Sequence, residues 1–137
     1  MSMKLLITGS RKCIESDYVK FESFLNDLII EKDLEVTEMI HGGAKGSDQF
    51  ADRWAKARLI PVKVFRPNYD MYSNRAPLVR NDVMVELCDV CVAIFKGSKT
   101  GGTLYTAKGA KAKNKLIGEI IQEKKSGITQ RNTLKLR

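Results

Sequence analysis

Hydrophobic residues fall into short runs separated by longer amphipathic stretches. Five of these runs are bounded by glycine, proline or polar residues and predict β-strands, which span 3–8, 34–40, 60–65, 90–95 and 115–121. A helix is an alternative for the last run. The run 90–95 is continuously apolar, which is typical of a strand buried on both faces, as in a parallel sheet.

Apolar residues recur at helical spacing between these runs, and they predict helices over 16–32, 47–58, 76–87 and 103–113. The stretch 66–73 is polar and aromatic and predicts a loop. Strands that alternate with helices indicate an α/β fold with a doubly wound, mostly parallel sheet of about five strands and helices on both faces. In such a sheet the ligand lies at the carboxyl ends of the strands, where the strand order reverses.

The chain has 137 residues, of which 43% are hydrophobic, and this size predicts one domain over residues 1–121. The net charge is +8, and half of it comes from residues 122–137, which carry five basic residues and one glutamate. That segment predicts a solvated, partly disordered basic tail. A basic balance favours phosphate-bearing partners, including nucleic acid.

Neither a membrane span nor a signal peptide is expected, because every apolar run is short and the first strand begins within a few residues of the N-terminus. The three cysteines lack the spacing of a disulfide framework, which favours the cytoplasm. Cys88 and Cys91 begin a buried strand and are expected in the core. No second Cys/His pair completes a zinc site, so no metal or cofactor is predicted.

The segment 41–48 joins a predicted strand to a predicted helix and contains three glycines within five residues. Glycines let the backbone approach a ligand, and the N–H groups of a first helical turn attract anions. Ser47 or Asp48 is expected to cap this helix. The segment therefore predicts a phosphate cradle, with simple turn geometry as the alternative.

Three further clusters should reach the same edge of the sheet. Arg11 follows the first strand, Arg75 and Arg80-Asn81 begin the third helix, and Gly101-Gly102-Thr103 leads into the fourth. Arginine binds phosphate bidentately, which suits a phosphorylated ligand. Tyr69 and Tyr72 are candidates to stack on a base, whereas Trp54 is expected in the core. His41 is more often structural in such a setting, and contact with a ligand is the alternative.

Taken together, these segments resemble the SLOG superfamily, a Rossmann-like group that binds or processes nucleotides, and within it the small YspA-like (DUF2493) subfamily. The pieces that carry the resemblance are 8–11, 42–48, Ala51 with Trp54-Ala55, Arg80-Asn81 with Met84, and 89–95 leading to Gly102-Thr103. The resemblance implies a nucleotide-derived ligand and a homo-oligomer.

The same superfamily includes the LOG-type phosphoribohydrolases, whose signature is Arg-Lys with a following Met, then Pro-Gly-Gly-x-Gly-Thr-x-x-Glu. Arg80-Asn81 and Met84 match the first part, with asparagine in place of lysine. Gly102-Thr103 is kept from the second part, but Thr106 stands where the catalytic glutamate would fall. A threonine hydroxyl cannot replace a carboxylate in acid–base work.

The leading hypothesis is therefore binding of a nucleotide or nucleotide-derived small molecule, with an ADP-ribose-like or nucleoside-phosphate moiety, for sensing or sequestration. The alternatives are an N-glycosidic-bond hydrolase or transferase that uses Arg80, Asp48 and His41, and a nucleic-acid-binding protein. The predicted ligand-binding residues are Gly9, Ser10, Arg11, Gly42, Gly43, Ala44, Lys45, Gly46, Asp48, Tyr72, Arg75, Arg80, Asn81, Gly101, Gly102 and Thr103.

Overall fold

A computed structural model describes residues 2–124 of the chain. The strands are β1 (Ser2–Gly9), β2 (Glu35–His41), β3 (Val62–Val64), β4 (Val90–Lys96) and β5 (Leu116–Gln122). The α-helices are α1 (Tyr18–Glu31), α2 (Ser47–Ala57), α3 (Tyr69–Tyr72), α4 (Ala76–Leu87) and α5 (Gly101–Ala112), and 3₁₀ turns cover Glu15–Asp17 and Ser73–Arg75. Most of the predicted tail lies outside the described residues, and the division of the chain near residue 121 stays a prediction.

The five strands form one parallel sheet in the order β3-β2-β1-β4-β5. The chain builds outwards from β1 to β3, and then crosses back to place β4 on the other side of β1. The strand order therefore reverses between β1 and β4, which pair from Leu5 opposite Val90 to Gly9 opposite Ile94. This confirms the α/β class and the parallel sheet, and it shows that β5 is a strand.

Both faces of the sheet are covered by helices. Leu5 and Ile7 of β1 pack with α1 and α2 around Phe21 and Trp54, whereas Leu6 faces the opposite side with Met84 of α4 and Ala110 of α5. The side chains of β4 alternate in the same way, and its residues 90–95 are all buried. The continuous apolar run is thus explained by burial on two faces.

Two stretches differ from the sequence prediction. The predicted loop 66–73 contains the short helix α3, which Asn68 caps by accepting the Met71 N–H at 3.1 Å. Helix α5 begins at Gly101 rather than at Thr103. The apolar periodicity starts only at Leu104, so the pattern of side chains does not mark the glycines of the first turn.

The three cysteines are buried free thiols, and Trp54 is buried with its indole N–H donating to Asn26. Burial raises the pKa of Cys88 to about 11, although the nearby Lys115 charge opposes the shift. Both cysteines of the Cys-x-x-Cys pair therefore behave as core residues, as expected. Within residues 2–124, no helix has the length and apolar character needed to cross a bilayer.

Candidate functional site

A cavity of about 1050 Å³ opens at the carboxyl ends of β1 and β4, where the strand order reverses. The loop after β1, the loop after β2, the start of α5 and the first turns of α4 all contribute to its walls. Of the predicted ligand-binding residues, those that line it are Gly9, Ser10, Arg11, Ala44, Lys45, Asp48, Arg80, Asn81, Gly101, Gly102 and Thr103.

The glycines at the β2–α2 connection are required by the packing of the protein itself. Gly46 has a φ of +71°, and a Cβ atom there would lie 2.5 Å from the Ser10 carbonyl oxygen. That oxygen accepts both the N–H and the hydroxyl of Ser47, each at 3.1 Å, so the start of α2 is bound tightly to the loop after β1. A Cβ atom at Gly9 would likewise collide with Ser47.

The carboxylate of Asp48 bonds the predicted phosphate cradle from inside the protein. Its Oδ2 accepts the N–H of Gly42 at 3.2 Å and that of Ala44 at 3.0 Å. The N-cap of α2 is Gly46, and the side chains of Ser47 and Asp48 bond other groups, so the expectation that Ser47 or Asp48 caps the helix is wrong. The reason is geometric, since helical side chains point towards the N-terminus and Asp48 therefore reaches back over the loop.

Burial raises the pKa of Asp48, while the Ala44 N–H and the nearby His41 and Arg80 hold the shift back. Asp48 is also the only carboxylate among the cavity-lining residues in the described part of the chain. Among the described residues, the one acidic side chain of the cavity wall is thus a buried carboxyl group that is costly to ionise.

His41 supports the same loop and lies behind the cavity wall. Its Nδ1 accepts the Gly43 N–H at 3.0 Å, so Nε2 carries the proton and donates to Asp52 at 2.9 Å. Burial alone would raise the pKa of Asp52, but hydrogen bonds from Lys56 and His41 lower it overall. Both ring nitrogens of His41 are occupied, so this buried side chain positions the loop.

Arg80 connects helix α4 to the end of β2. Its Nη1 donates to the carbonyl oxygens of Gly42 at 2.7 Å and Phe65 at 3.0 Å, and its Nε donates to Asn81 Oδ1 at 2.7 Å. Burial lowers the pKa of Arg80, the nearby Asp48 carboxylate opposes this shift, and the charge of Arg11 lowers the pKa further. Arg11 and Arg80 both line the cavity, and two guanidinium groups in one cavity wall favour an anion nearby.

The first turn of α5 faces the cavity without a cap. Thr100 precedes it in an extended conformation and makes no side-chain hydrogen bond to the helix. Gly101 and Gly102 line the cavity, and a Cβ atom on either would meet nothing within 4 Å. Packing within the described protein thus does not explain Gly102, in contrast to Gly46.

Thr106 lies one turn further along α5. It is 1% exposed, and its hydroxyl donates to the Gly102 carbonyl oxygen at 2.9 Å. The residue that stands at the position of the LOG-type glutamate is therefore absent from the cavity lining, and its hydroxyl bonds within the helix.

Among residues 2–124, six basic side chains and one carboxylate line the cavity, and the sequence prediction missed half of the basic ones. Lys12 and Lys124 lie in exposed positions, which resemble any solvated lysine in the sequence. Lys96 is buried and bonds Asp17 at 2.7 Å. Lys96 directly follows the strongest predicted strand, 90–95, and this position is the signal that could have identified it as a residue of the carboxyl edge of the sheet. The six are Arg11, Lys12, Lys45, Arg80, Lys96 and Lys124.

Two groups of predicted residues lie outside the cavity lining. Tyr72 and Arg75 are exposed on the connection between α3 and α4. Gly42, Gly43 and Gly46 form the backbone behind the wall, where their N–H or carbonyl groups bond Asp48, His41, Arg80 and Phe50. The predicted residues that the structure brings together thus belong to the loop after β1, the loop after β2 with Asp48 of α2, the start of α4 and the start of α5.

The fold and the cavity define an α/β protein of the doubly wound class with a basic cavity at its topological switch point. Residues 3–72 match the YspA, cpYpsA-related SLOG family (YAcAr). The chain is also 31% identical over 104 residues to the Gene 61 protein of Mycobacterium phage D29, an alignment that covers 72% of this chain and 81% of that protein. The chain belongs to the YspA, cpYpsA-related SLOG family.

Proposed function

We propose that this protein binds a nucleotide or nucleotide-derived small molecule, with its phosphate against the start of α5. The observation that carries the proposal is the uncapped first turn of α5, whose glycines line a basic cavity at the switch point of the sheet. N–H groups at a helix start attract phosphate, and the absence of side chains at Gly101 and Gly102 allows close approach.

This proposal places the phosphate at the start of α5 and not at the β2–α2 glycines, where the sequence predicted it. The N–H groups of Gly42 and Ala44 already bond the Asp48 carboxylate, which would also repel a phosphate placed beside it. Arg11 and Arg80 are better placed for charge-assisted bonds, since both line the cavity and Arg80 Nη2 donates no hydrogen bond within residues 2–124. The cavity volume of about 1050 Å³ is ample for a nucleotide.

The test is native mass spectrometry of the gently purified protein, followed by denaturing release of any bound molecule. We expect a phosphorylated, nucleotide-like mass on the wild-type protein and on Gly109→Glu, and its loss on Gly102→Glu. Both glycines lie on α5 with nothing within 4 Å of an added Cβ, but only Gly102 lines the cavity. A carboxylate at the helix start should leave the fold intact, since it complements the helix dipole.

A protein that carries no bound molecule and also ignores a panel of nucleotides would overturn the proposal. Steeply salt-dependent binding to any DNA or RNA would then support the nucleic-acid alternative. The proposed homo-oligomer is a separate question, which light scattering after size-exclusion chromatography answers directly.

Hydrolysis of an N-glycosidic bond is a second candidate, favoured by one observation. Asp48 is a cavity-lining carboxyl whose pKa is raised by burial, as a general acid requires. The molecule identified above would be incubated with the protein, and released base measured by chromatography. Base release that is lost in Asp48→Asn would support an enzyme, whereas an unchanged ligand would support binding alone.

A further inference from the structure

Two polar side chains in the cavity wall are almost fully buried, and each keeps one polar atom that no group of the described residues satisfies. Asp48 is 7% exposed and Asn81 is 8% exposed. Oδ2 of Asp48 accepts two backbone N–H groups, and Oδ1 of Asn81 accepts Arg80 Nε. Within residues 2–124, no hydrogen bond reaches Asp48 Oδ1 or leaves Asn81 Nδ2. Buried polar atoms are nearly always bonded, so such a pair in a cavity wall indicates a ligand.

The two side chains belong to one bonded network. Asp48 Oδ2 accepts the Gly42 N–H, and the Gly42 carbonyl oxygen accepts a hydrogen bond from Arg80 Nη1 at 2.7 Å. Arg80 Nε in turn donates to Asn81 Oδ1 at 2.7 Å. Each side chain is thereby fixed through its satisfied atom while the other atom stays available. This arrangement presents one acceptor and one donor in fixed positions.

We infer that Asp48 and Asn81 recognise the hydroxyl groups of a ribose, so that the cavity selects ribosyl phosphates over phosphorylated ligands without a diol. This inference rests on the proposed function, because it assumes that the phosphate lies at α5. A hydroxyl group both donates and accepts, so a diol can satisfy Asp48 Oδ1 and Asn81 Nδ2 together. A phosphate cannot, since its oxygens offer no hydrogen to Asp48 when fully ionised.

The cavity would then divide according to charge. The Asp48–Asn81 end takes the neutral sugar, and the end formed by Arg11 and the start of α5 takes the phosphate. A site built to bond a hydroxyl rejects the analogue that lacks it, because the buried partner is left unpaired. Selectivity for ribose should therefore exceed what shape alone would provide.

The experiment is calorimetric titration with AMP, 2′-deoxy-AMP, 3′-deoxy-AMP and inorganic phosphate. We expect the wild-type protein to bind AMP about 10- to 100-fold more tightly than at least one deoxy analogue. In Asp48→Asn this preference should fall below about threefold. The asparagine keeps an oxygen for the Gly42 and Ala44 N–H groups. Because the variant also removes a carboxylate from the cavity lining, an affinity for inorganic phosphate at least equal to that of the wild type would show that it retains its anion site.

Two further variants separate recognition from side effects. Asp82→Asn changes an exposed carboxylate next to Asn81 on α4, outside the cavity lining, and should keep the full preference. The double variant Asp48→Asn/Asn81→Asp exchanges the unsatisfied donor and acceptor at constant net charge. It should still bind AMP, but the ratio of its affinities for 2′-deoxy-AMP and 3′-deoxy-AMP should differ from that of the wild type.

Each remaining outcome overturns a defined statement. If AMP and both deoxy analogues bind equally, the ribose inference is wrong and the proposed function stands. If inorganic phosphate binds but AMP does not, the ribose inference fails. If none of the four probes binds, the inference fails as well, and the panel of nucleotides described above decides the proposed function.

Discussion

Nη1 of Arg80 lies 2.7 Å from the carbonyl oxygen of Gly42, and this bond ties helix α4 to the loop after β2 across 38 positions of the chain. The same nitrogen donates to Phe65, which extends the tie to the end of β3. One guanidinium thus fixes two of the connections that meet at the carboxyl edge of the sheet. The geometry of the site thus depends on a side chain that also lines the cavity.

Arg80→Lys should lower the free energy of unfolding by about 2 kcal/mol. An ammonium group cannot reach Gly42, Phe65 and Asn81 from one position, so carbonyl oxygens lose their donor. Urea denaturation measures the change. Arg75→Lys, an exposed position one turn earlier, should stay within about 0.5 kcal/mol of the wild type. Equal stability of the two variants would show that Arg80 does not brace the loops.

The glycines should separate into structural and ligand-facing positions. Gly46→Ala should cost about 3 kcal/mol, because φ is +71° and the new methyl group meets the Ser10 carbonyl oxygen. Gly102→Ala should instead gain about 0.5 kcal/mol, since alanine favours the helix and meets nothing nearby. Denaturation curves of the two variants, recorded without ligand, provide the comparison. A large loss in Gly102→Ala would contradict the open position assigned to it.

The buried pair of Lys96 and Asp17 joins β4 to the 3₁₀ turn before α1, and each side chain is 5% exposed. Lys96→Met should destabilise the fold by about 3 kcal/mol, because it removes the ammonium group that bonds the buried Asp17 carboxylate. Asp17→Asn/Lys96→Met should recover much of that loss, since it removes the buried charge as well. Thermal denaturation of both variants measures their relative stability. A double variant that is no more stable than Lys96→Met would refute the cost assigned to the buried charge.

Asp48 should make the stability of the protein depend on pH. Its pKa is raised above 3.8 by burial, so the folded protein holds a proton that the unfolded chain has released. Stability contributed by this group is therefore lost as the pH rises from about 4 through the raised pKa. Asp48→Asn should gain stability relative to the wild type over that range. Urea denaturation from about pH 4 to pH 7 measures the difference, and a difference that does not change with pH would contradict the burial cost.

The fold followed from the sequence because its signals are local. The run 90–95, the amphipathic stripe around Phe21 and the glycine turns all report their structure within a few residues. The Asp48 contacts did not follow, because side-chain direction decides whether a carboxylate caps its own helix or bonds the preceding loop. The same holds for Lys96, whose role depends on Asp17, far away in the sequence and adjacent only in the folded protein.

The sequence predicted the candidate site at the edge of the sheet where the cavity lies, since parallel strands place all their carboxyl ends together. Motifs could not predict which glycines of the site are required by the packing of the protein and which line the cavity. Gly46 and Gly102 look alike in the sequence, and only the surrounding atoms distinguish a glycine required by the protein from one that packing leaves unexplained. Both occur directly at the start of a helix.

The two outer strands of the sheet differ in a way that bears on aggregation. β3 has three residues, follows Pro61 and carries the exposed Lys63, so its free edge offers a short and charged template to another chain. β5 has seven residues, and Lys99 bonds its Glu119 at 2.6 Å. Among the strands of residues 2–124, any misdirected growth of the sheet should therefore begin along β5. Charge at Glu119 would be the feature that restrains it.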